Sequence, residues 1–249
     1  MHRPYIRKKP HAETGVLLIH GILSTPRHFD FLIPHIPDEY EICSILLAGH
    51  GGSVRDFSKA TMKQWQSQVK KALNELETHC SRIFIIGHSL GALLTLNEVQ
   101  QHQKVAGILL LNPPLLPRLQ CTMIGRSLRF AFGKIQPGNM ADALCYEDLS
   151  IRLEPYLWKY LGWIPNFASL LRLAAKCRKI PATLDIPCYA FLGMKDELVH
   201  PKTARHLKDN PIISLEILEN GVHFGYLAED QKRIIEKFHC LLDQAQQTK

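Results

Sequence analysis

The chain has 249 residues, of which 46% are hydrophobic and 21% are charged. That length and composition suit one folded domain with an insertion better than two independent domains. The chain has no zinc-finger spacing and no basic helix with heptads, which argues against nucleic acid as a partner. Its formal charge of +7 leaves an anionic membrane surface or an anionic substrate open as a partner.

Seven cysteines are scattered along the chain and form no C-x-x-C pair. An odd, scattered set argues against a disulfide framework and against a zinc site, so we expect a reducing, cytoplasmic location and no bound metal. The N-terminus is charged but lacks the apolar stretch of a secretory signal. No apolar run approaches the roughly 18 residues of a membrane-spanning helix, so no membrane span is predicted.

Short apolar runs recur in chain order and predict strands. They cover residues 16–19, 42–47, 83–86, 105–111 and 188–192, with a more alternating run at 212–218. Continuous apolar runs are typical of strands covered on both faces, as in a parallel sheet. Stretches that can be helical lie between them, at 61–79, 90–102 and 228–244. This alternation predicts an α/β fold with a doubly wound, mostly parallel sheet.

One stretch, residues 115–181, breaks the alternation and shows no clean strand. Prolines mark its two ends: Pro113, Pro114, Pro117, Pro181 and Pro187. We therefore predict an α/β core at 1–114 and 182–249, with an inserted helical cap at 115–181. The cap carries eight aromatic residues: Phe130, Phe132, Tyr146, Tyr156, Trp158, Tyr160, Trp163 and Phe167. They could line an apolar acyl groove or simply dock the cap on the sheet.

The strongest local signal is the sequence Gly-His-Ser-Leu-Gly at 87–91. It follows the predicted strand at 83–86 and precedes a helix-like stretch, which is the context that a G-x-S-x-G nucleophile elbow requires. The flanking glycines permit close approach of strand and helix. Ser89 is therefore the candidate nucleophile.

A serine hydroxyl needs a base, and the base needs a group that orients it. In this arrangement the acid and then the histidine follow the serine along the chain, each after a later strand. Asp196 follows the run at 188–192 directly, whereas Asp185 precedes that run and Asp209 follows a helix-like stretch. His223 lies in a glycine-flanked loop after the run at 212–218. We predict Asp196 as the orienting acid and His223 as the base.

Two backbone amides are candidates for binding a developing oxyanion. The amide of Leu90 follows the nucleophile at the start of a helix, where negative charge is stabilised. The amide of Ile22 follows His20-Gly21, directly after the first buried strand. Taken alone, His20-Gly21 would be an ordinary turn at the end of a strand.

Five segments together resemble the α/β-hydrolase superfamily, and most of all its small, lid-bearing carboxylesterases and monoacylglycerol lipases. The segments are 17–21, 47–51, 87–91, 193–196 and 221–223. The resemblance implies a Ser89–Asp196–His223 triad and oxyanion donors at Ile22 and Leu90. Acyl transfer by these groups requires no cofactor. His50 and His88 are interpreted as structural neighbours of the site.

The substrate class depends on the cap, and several alternatives stay open. Esters with short-to-medium acyl chains, or monoacylglycerols, are the first hypothesis, cleaved through an acyl-enzyme. An acyl-thioesterase or an aminopeptidase would use the same triad, and a non-catalytic ligand-binding module would keep only the fold. Seven basic residues of the cap could orient it weakly toward an anionic membrane surface: Arg118, Arg126, Arg129, Arg172, Lys176, Arg178 and Lys179. The sequence does not indicate an oligomeric state.

Overall fold

A computed structural model describes residues 2–118 and 120–247. Seven strands form one sheet in these residues: β1 (Tyr5–Arg7), β2 (Thr14–Ile19), β3 (Glu41–Ile45), β4 (Arg82–His88), β5 (Val105–Leu111), β6 (Cys188–Gly193) and β7 (Ile213–Leu218). Their spatial order is β1-β3-β2-β4-β5-β6-β7, and all pairs except β1 with β3 are parallel. The predicted doubly wound, mostly parallel α/β fold is confirmed.

The part of the chain that is described contains eight α-helices. They are α1 (Val54–Lys59), α2 (Met62–Glu77), α3 (Leu90–Glu98), α4 (Cys121–Ala131), α5 (Met140–Asp148), α6 (Ile164–Cys177), α7 (Ala204–Lys208) and α8 (Ala228–Gln247). None of the helices described here combines the length and apolar character that crossing a membrane requires.

The sheet is buried on both faces, which explains the continuous apolar runs of its strands. In β2, Leu17 and Ile19 face one hydrophobic cluster, which includes residues of α2, α3 and α6. Val16 and Leu18 alternate with them and face a second cluster, which includes residues of α8. Because successive side chains of a strand point to opposite faces, a strand between two helical layers has no polar face.

The strand β1 has no counterpart among the predicted elements. It is three residues long, it pairs only with β3, and Tyr5 and Ile6 are exposed. A short edge strand with one covered side carries no apolar run, so the sequence pattern does not reveal it.

The segment between β5 and β6 contains α4, α5 and α6, together with a 3-10 helix at Leu157–Trp163. It packs over α1, where the Trp163 indole donates to the Val54 carbonyl at 2.9 Å and the Asn166 amide donates to the Phe57 carbonyl at 3.0 Å. Pro117 forms an isolated bridge with Val199, in the loop after β6. These contacts hold the helices above the carboxyl edge of the sheet.

Candidate active site

Ser89 lies at the junction of β4 and α3 in a backbone conformation that non-glycine residues rarely adopt, with φ 51° and ψ −115°. The two flanking glycines are required sterically. A Cβ on Gly91 would lie 1.9 Å from the Ile19 carbonyl oxygen, and one on Gly87 would lie 2.6 Å from the Gly91 carbonyl oxygen. The helix α3 can therefore approach β2 and β4 closely only with glycine at both positions, and Ser89 lies at the tip of the turn between β4 and α3.

The structure brings the three side chains predicted as a triad into one hydrogen-bonded row. The Ser89 hydroxyl lies 2.9 Å from His223 Nε2, and His223 Nδ1 lies 2.7 Å from Asp196 Oδ2. All three residues are buried. Because a carboxylate only accepts, Nδ1 carries the ring proton and Nε2 is left to accept the serine proton. Asp185 and Asp209, the other acids weighed, are exposed.

The second oxygen of Asp196 is held by its own loop. Oδ1 accepts hydrogen bonds from the amides of Leu198 at 2.7 Å and Val199 at 2.8 Å. These bonds fix the plane of the carboxylate, so that Oδ2 faces His223. Two backbone amides of the loop after β6 therefore orient the acid.

Asn112 joins the acid loop to the base loop, and the sequence analysis did not find it. Its side-chain oxygen accepts from the Gly193 amide at 2.9 Å, while its side-chain nitrogen donates to the Val222 carbonyl at 3.1 Å. Asn112 directly follows β5, is fully buried and has φ 48°, a conformation that asparagine tolerates better than most residues. An asparagine before two prolines at a strand end was the only signal in the sequence.

The predicted oxyanion donors border the same site. Leu90 is the first residue of α3, and the first amides of a helix have no intrahelical acceptor. Ile22 is buried and lines the same cavity as Ser89 and His223. His50 holds the loop of Ile22, because its Nε2 accepts from the Leu23 amide at 3.1 Å.

A first cavity of about 440 Å³, here called the serine cavity, opens at Ser89 and His223. Its other walls are mainly apolar and include Pro114, Pro117, Leu170 and Leu171, with Arg118 as the charged residue. A second cavity of about 320 Å³, the cap cavity, is lined by side chains such as Phe130, Leu153, Tyr160 and Trp163. Ile22, Phe167 and Leu198 border both cavities.

Four of the eight aromatic residues of the cap line a cavity, and one of these four also docks the cap on the core. Phe130, Tyr160, Trp163 and Phe167 line the cap cavity, and Trp163 also docks on α1. The other four are exposed, namely Phe132, Tyr146, Tyr156 and Trp158.

Several charged residues of the cap are buried or held in ion pairs, so fewer of them are free to contact a membrane surface or a substrate than the sequence predicts. Arg126 is buried in ion pairs with Asp142 at 2.6 Å and Glu197 at 2.8 Å, so its predicted contact with a membrane surface is wrong. Asp142 also pairs with Arg129 at 2.7 Å, and Asp148 lies 3.2 Å from His28. Arg172, Lys176 and Lys179 are exposed.

Two clusters of metal-ligand residue types occur in the described residues, and neither suits an ion. His28 and His88 lie near Asp148, but their rings stack at 3.8 Å with 18° between the planes. Because imidazole lone pairs lie in the ring plane, stacked rings do not converge on one ion. In the other cluster His79 is hydrogen-bonded to Glu41 at 2.8 Å, and burial raises the pKa of the Cys80 thiol, which disfavours the thiolate ligand.

Comparison with known proteins agrees with this geometry. The model of the alpha/beta hydrolase family matches residues 16–236, which is most of the chain. The chain belongs to the alpha/beta hydrolase family. Its similarity to a thermostable monoacylglycerol lipase of Bacillus sp. (strain H-257) is 29% identity over 237 residues, covering 90% of this chain and 88% of the relative.

Two solved structures share the fold of this family member. One is that of the metagenome-derived lipolytic enzymes LipS and LipT, with a TM-score of 0.74 and 21% identity, covering 97% of both chains. The other is a soluble variant of monoglyceride lipase from Saccharomyces cerevisiae with a substrate analogue. It has a TM-score of 0.69 and 18% identity, covering 97% of this chain and 91% of the yeast protein.

Proposed function

We propose that this protein is a serine hydrolase of the lipase/esterase type, which cleaves short-to-medium acyl esters or monoacylglycerols. The observation that carries the proposal is the row from Ser89 through His223 to Asp196, with spacings of 2.9 and 2.7 Å. The row ends at a mainly apolar cavity. A relative named monoacylglycerol lipase, at 29% identity, supports the choice of substrate.

The proposed reaction is acyl transfer in two steps. Ser89 Oγ attacks the ester carbonyl carbon while His223 Nε2 takes the hydroxyl proton, and the amides of Ile22 and Leu90 bind the carbonyl oxygen as it becomes negative. The tetrahedral intermediate then collapses, and the leaving alcohol takes the proton from His223. Water attacks the acyl-enzyme with the same histidine as base, which releases the carboxylic acid and restores Ser89.

The serine cavity favours a neutral acyl ester over a peptide with a free amino terminus. An aminopeptidase needs a carboxylate that binds the substrate ammonium, but the charged residue lining this cavity is Arg118. Asp142 and Asp148 are paired with Arg126 and His28, respectively. An acyl-thioesterase remains the alternative, because thioesters and esters place the same demands on this geometry.

The first test is labelling by a fluorophosphonate probe, with Ser89→Ala as the control variant. We expect the wild type to be labelled at Ser89, and Ser89→Ala or His223→Ala to lower kcat on a p-nitrophenyl ester on the order of a million-fold. Absence of labelling in well-folded wild type would favour the non-catalytic binding module. Near-native activity of Ser89→Ala would show that the assignment of the nucleophile is wrong.

A panel of substrates separates the remaining enzyme classes. Esters, thioesters and amides of matched acyl groups, from two to sixteen carbons, should give the highest kcat/KM for short-to-medium esters and monoacylglycerols. A higher kcat/KM for thioesters than for esters would identify the protein as an acyl-thioesterase. A higher kcat/KM for amides than for esters would identify it as a peptidase.

We further propose that the cap of this hydrolase associates weakly with an anionic membrane surface. Five apolar side chains of the 3-10 helix and α6 are more than half exposed: Leu157, Trp158, Leu161, Ile164 and Leu171. The exposed basic residues Arg172, Lys176 and Lys179 lie on or directly after α6. Apolar side chains beside basic ones are typical of surfaces that insert shallowly between anionic lipids.

Vesicles of phosphatidylcholine with phosphatidylglycerol test this association. Co-sedimentation should fall as salt rises, and the triple change Arg172→Gln, Lys176→Gln and Lys179→Gln should flatten that dependence. Trp158→Ser should weaken binding at every salt concentration. Binding that ignores salt, or no binding, would refute the proposal.

A further inference from the structure

His88 lies behind the nucleophile, in contact with two other parts of the candidate site. Its Nε2 is 2.9 Å from the backbone carbonyl oxygen of His223. On the other side of the ring, a Cβ on Gly21 would lie 2.8 Å from Nδ1, so the loop that carries Ile22 packs directly on the imidazole. The ring is fully buried, so water does not compete for these contacts.

The hydrogen bond to His223 fixes the protonation of His88. A carbonyl oxygen only accepts, so Nε2 must carry a proton. Burial lowers the pKa of His88 well below its ordinary value, and neighbouring His28 and His223 lower it further. The ring is therefore neutral, and its single N–H is committed to the carbonyl of His223. The amide of Asn112 approaches the same oxygen only at 3.5 Å, the limit for a hydrogen bond.

His88 is itself supported by a residue outside the triad. The ring of His28 stacks on it at 3.8 Å, with 18° between the planes. His28 Nδ1 lies 3.2 Å from Asp148, the last residue of α5. A contact chain thus runs from the cap through His28 and His88 to the backbone of His223.

We infer that His88 is a positioning residue for His223, which holds the base through the hydrogen bond to its carbonyl oxygen and is held by the stacked His28. The inference rests on the proposed function, since a base must exist for its position to matter. His223 sits in a loop, so its side chain alone does not fix the distance from Nε2 to the serine hydroxyl. Misplacement by about 1 Å can cost on the order of a hundred-fold in rate.

The test compares His88→Gln with His88→Met, two side chains of equal length of which only glutamine can donate. We expect His88→Met to lower kcat for an ester about ten- to a hundred-fold, with KM changed by less than about twofold. His88→Gln should recover most of the activity, to within about threefold of wild type, because its amide can donate to the same carbonyl. The rate of fluorophosphonate labelling at Ser89 should follow the same order.

Equal loss of kcat in both variants, or no loss in either, would overturn the inference. Labelling of the wild type at Ser89 would still support the proposed function in that case. Unlabelled, inactive wild type would instead refute the proposed function itself. Where a variant fails to fold, nitrogen-15 NMR of histidine-labelled wild type supplies a second measurement. The buried His88 should keep one proton, on Nε2, between pH 5 and 8; an Nδ1-protonated or charged ring would overturn the inference.

Discussion

Ser89 has a positive φ, and the backbone around it can adopt that conformation only because two neighbours lack side chains. Its strain, of order 1–3 kcal/mol for such a residue, must be offset by the packing of β4 and α3. The backbone strain of the turn therefore lies at the residue whose hydroxyl is proposed to react. Strained backbone conformations occur frequently at residues of active sites.

Gly91→Ala should destabilise the protein by about 4 kcal/mol or more, because the new Cβ would lie 1.9 Å from the Ile19 carbonyl oxygen. Urea unfolding followed by circular dichroism measures the loss. Gly125→Ala is the matched control, because among the described atoms outside the backbone of α4 the nearest to its new Cβ is the end of the Arg129 side chain at 3.8 Å. The control should leave stability unchanged or raise it slightly. Equal effects of both changes would contradict the steric argument.

The candidate site was predictable from sequence as far as chain order could carry it. Ser89, Asp196 and His223 each follow an apolar run, and the structure gathers these positions at one edge of the sheet. Asn112 also follows an apolar run, but neither its hydrogen bonds nor that of His88 could be predicted from chain order. Their partners are 81 or more residues away, and nothing in a linear pattern indicates which loops will touch.

Among the elements, α4 has a connecting role. Its Arg126 reaches Asp142 near the start of α5 and Glu197, the neighbour of Asp196. Asp142 is fully buried and Glu197 nearly so. The ion pairs therefore link the cap to the loop that holds the candidate acid.

Arg126→Met should loosen α4 and α5, because removing one partner of a buried ion pair costs about 3–5 kcal/mol. Hydrogen–deuterium exchange followed by mass spectrometry should show faster exchange in these two helices. Arg172→Met, which changes an exposed arginine of α6, is the control and should leave their exchange unchanged. Unchanged exchange in the Arg126 variant would mean that other contacts hold the cap.

The elements of the core were more predictable than those at its margins. The strand β5 has the predicted bounds, 105–111, because every residue of that run lies between two helical layers. β1 escaped prediction because an edge strand needs no apolar face. The burial of Arg126 escaped for a related reason: a charge in an amphipathic helix is expected at the surface unless its partners are known.

Of the buried histidines in the described part of the chain, three have a pKa that burial lowers: His20, His50 and His88. Burial lowers the pKa of His50 to about 4, and those of His20 and His88 well below the ordinary value. In the unfolded chain the same rings bind protons below about pH 6.5. Because the unfolded state then binds more protons than the folded state, stability is fully present above that pH and is lost as pH falls.

The free energy of unfolding should therefore fall between pH 6.5 and 5, by up to about 1.4 kcal/mol per pH unit for each of these histidines. Urea unfolding at several pH values measures the slope. His50→Gln should reduce the slope by one such contribution. Ser67→Ala, which changes an exposed residue of α2 without a titratable group, should keep the slope of the wild type. If His50→Gln leaves the slope unchanged, the His50 ring must also be protonated in the folded state over this pH range.

The adjacency of β5 and β6 has a consequence for how such proteins diversify. The two strands pair directly, with Leu111 beside Phe191, although the chain between them supplies α4, α5 and α6. The lining residues of the cap cavity that lie between 127 and 167 are thus encoded by one uninterrupted stretch of gene. Exchanging that stretch between relatives as a single unit would alter which ligand fits the cap cavity, while the strands that precede Ser89, Asp196 and His223 would stay unchanged.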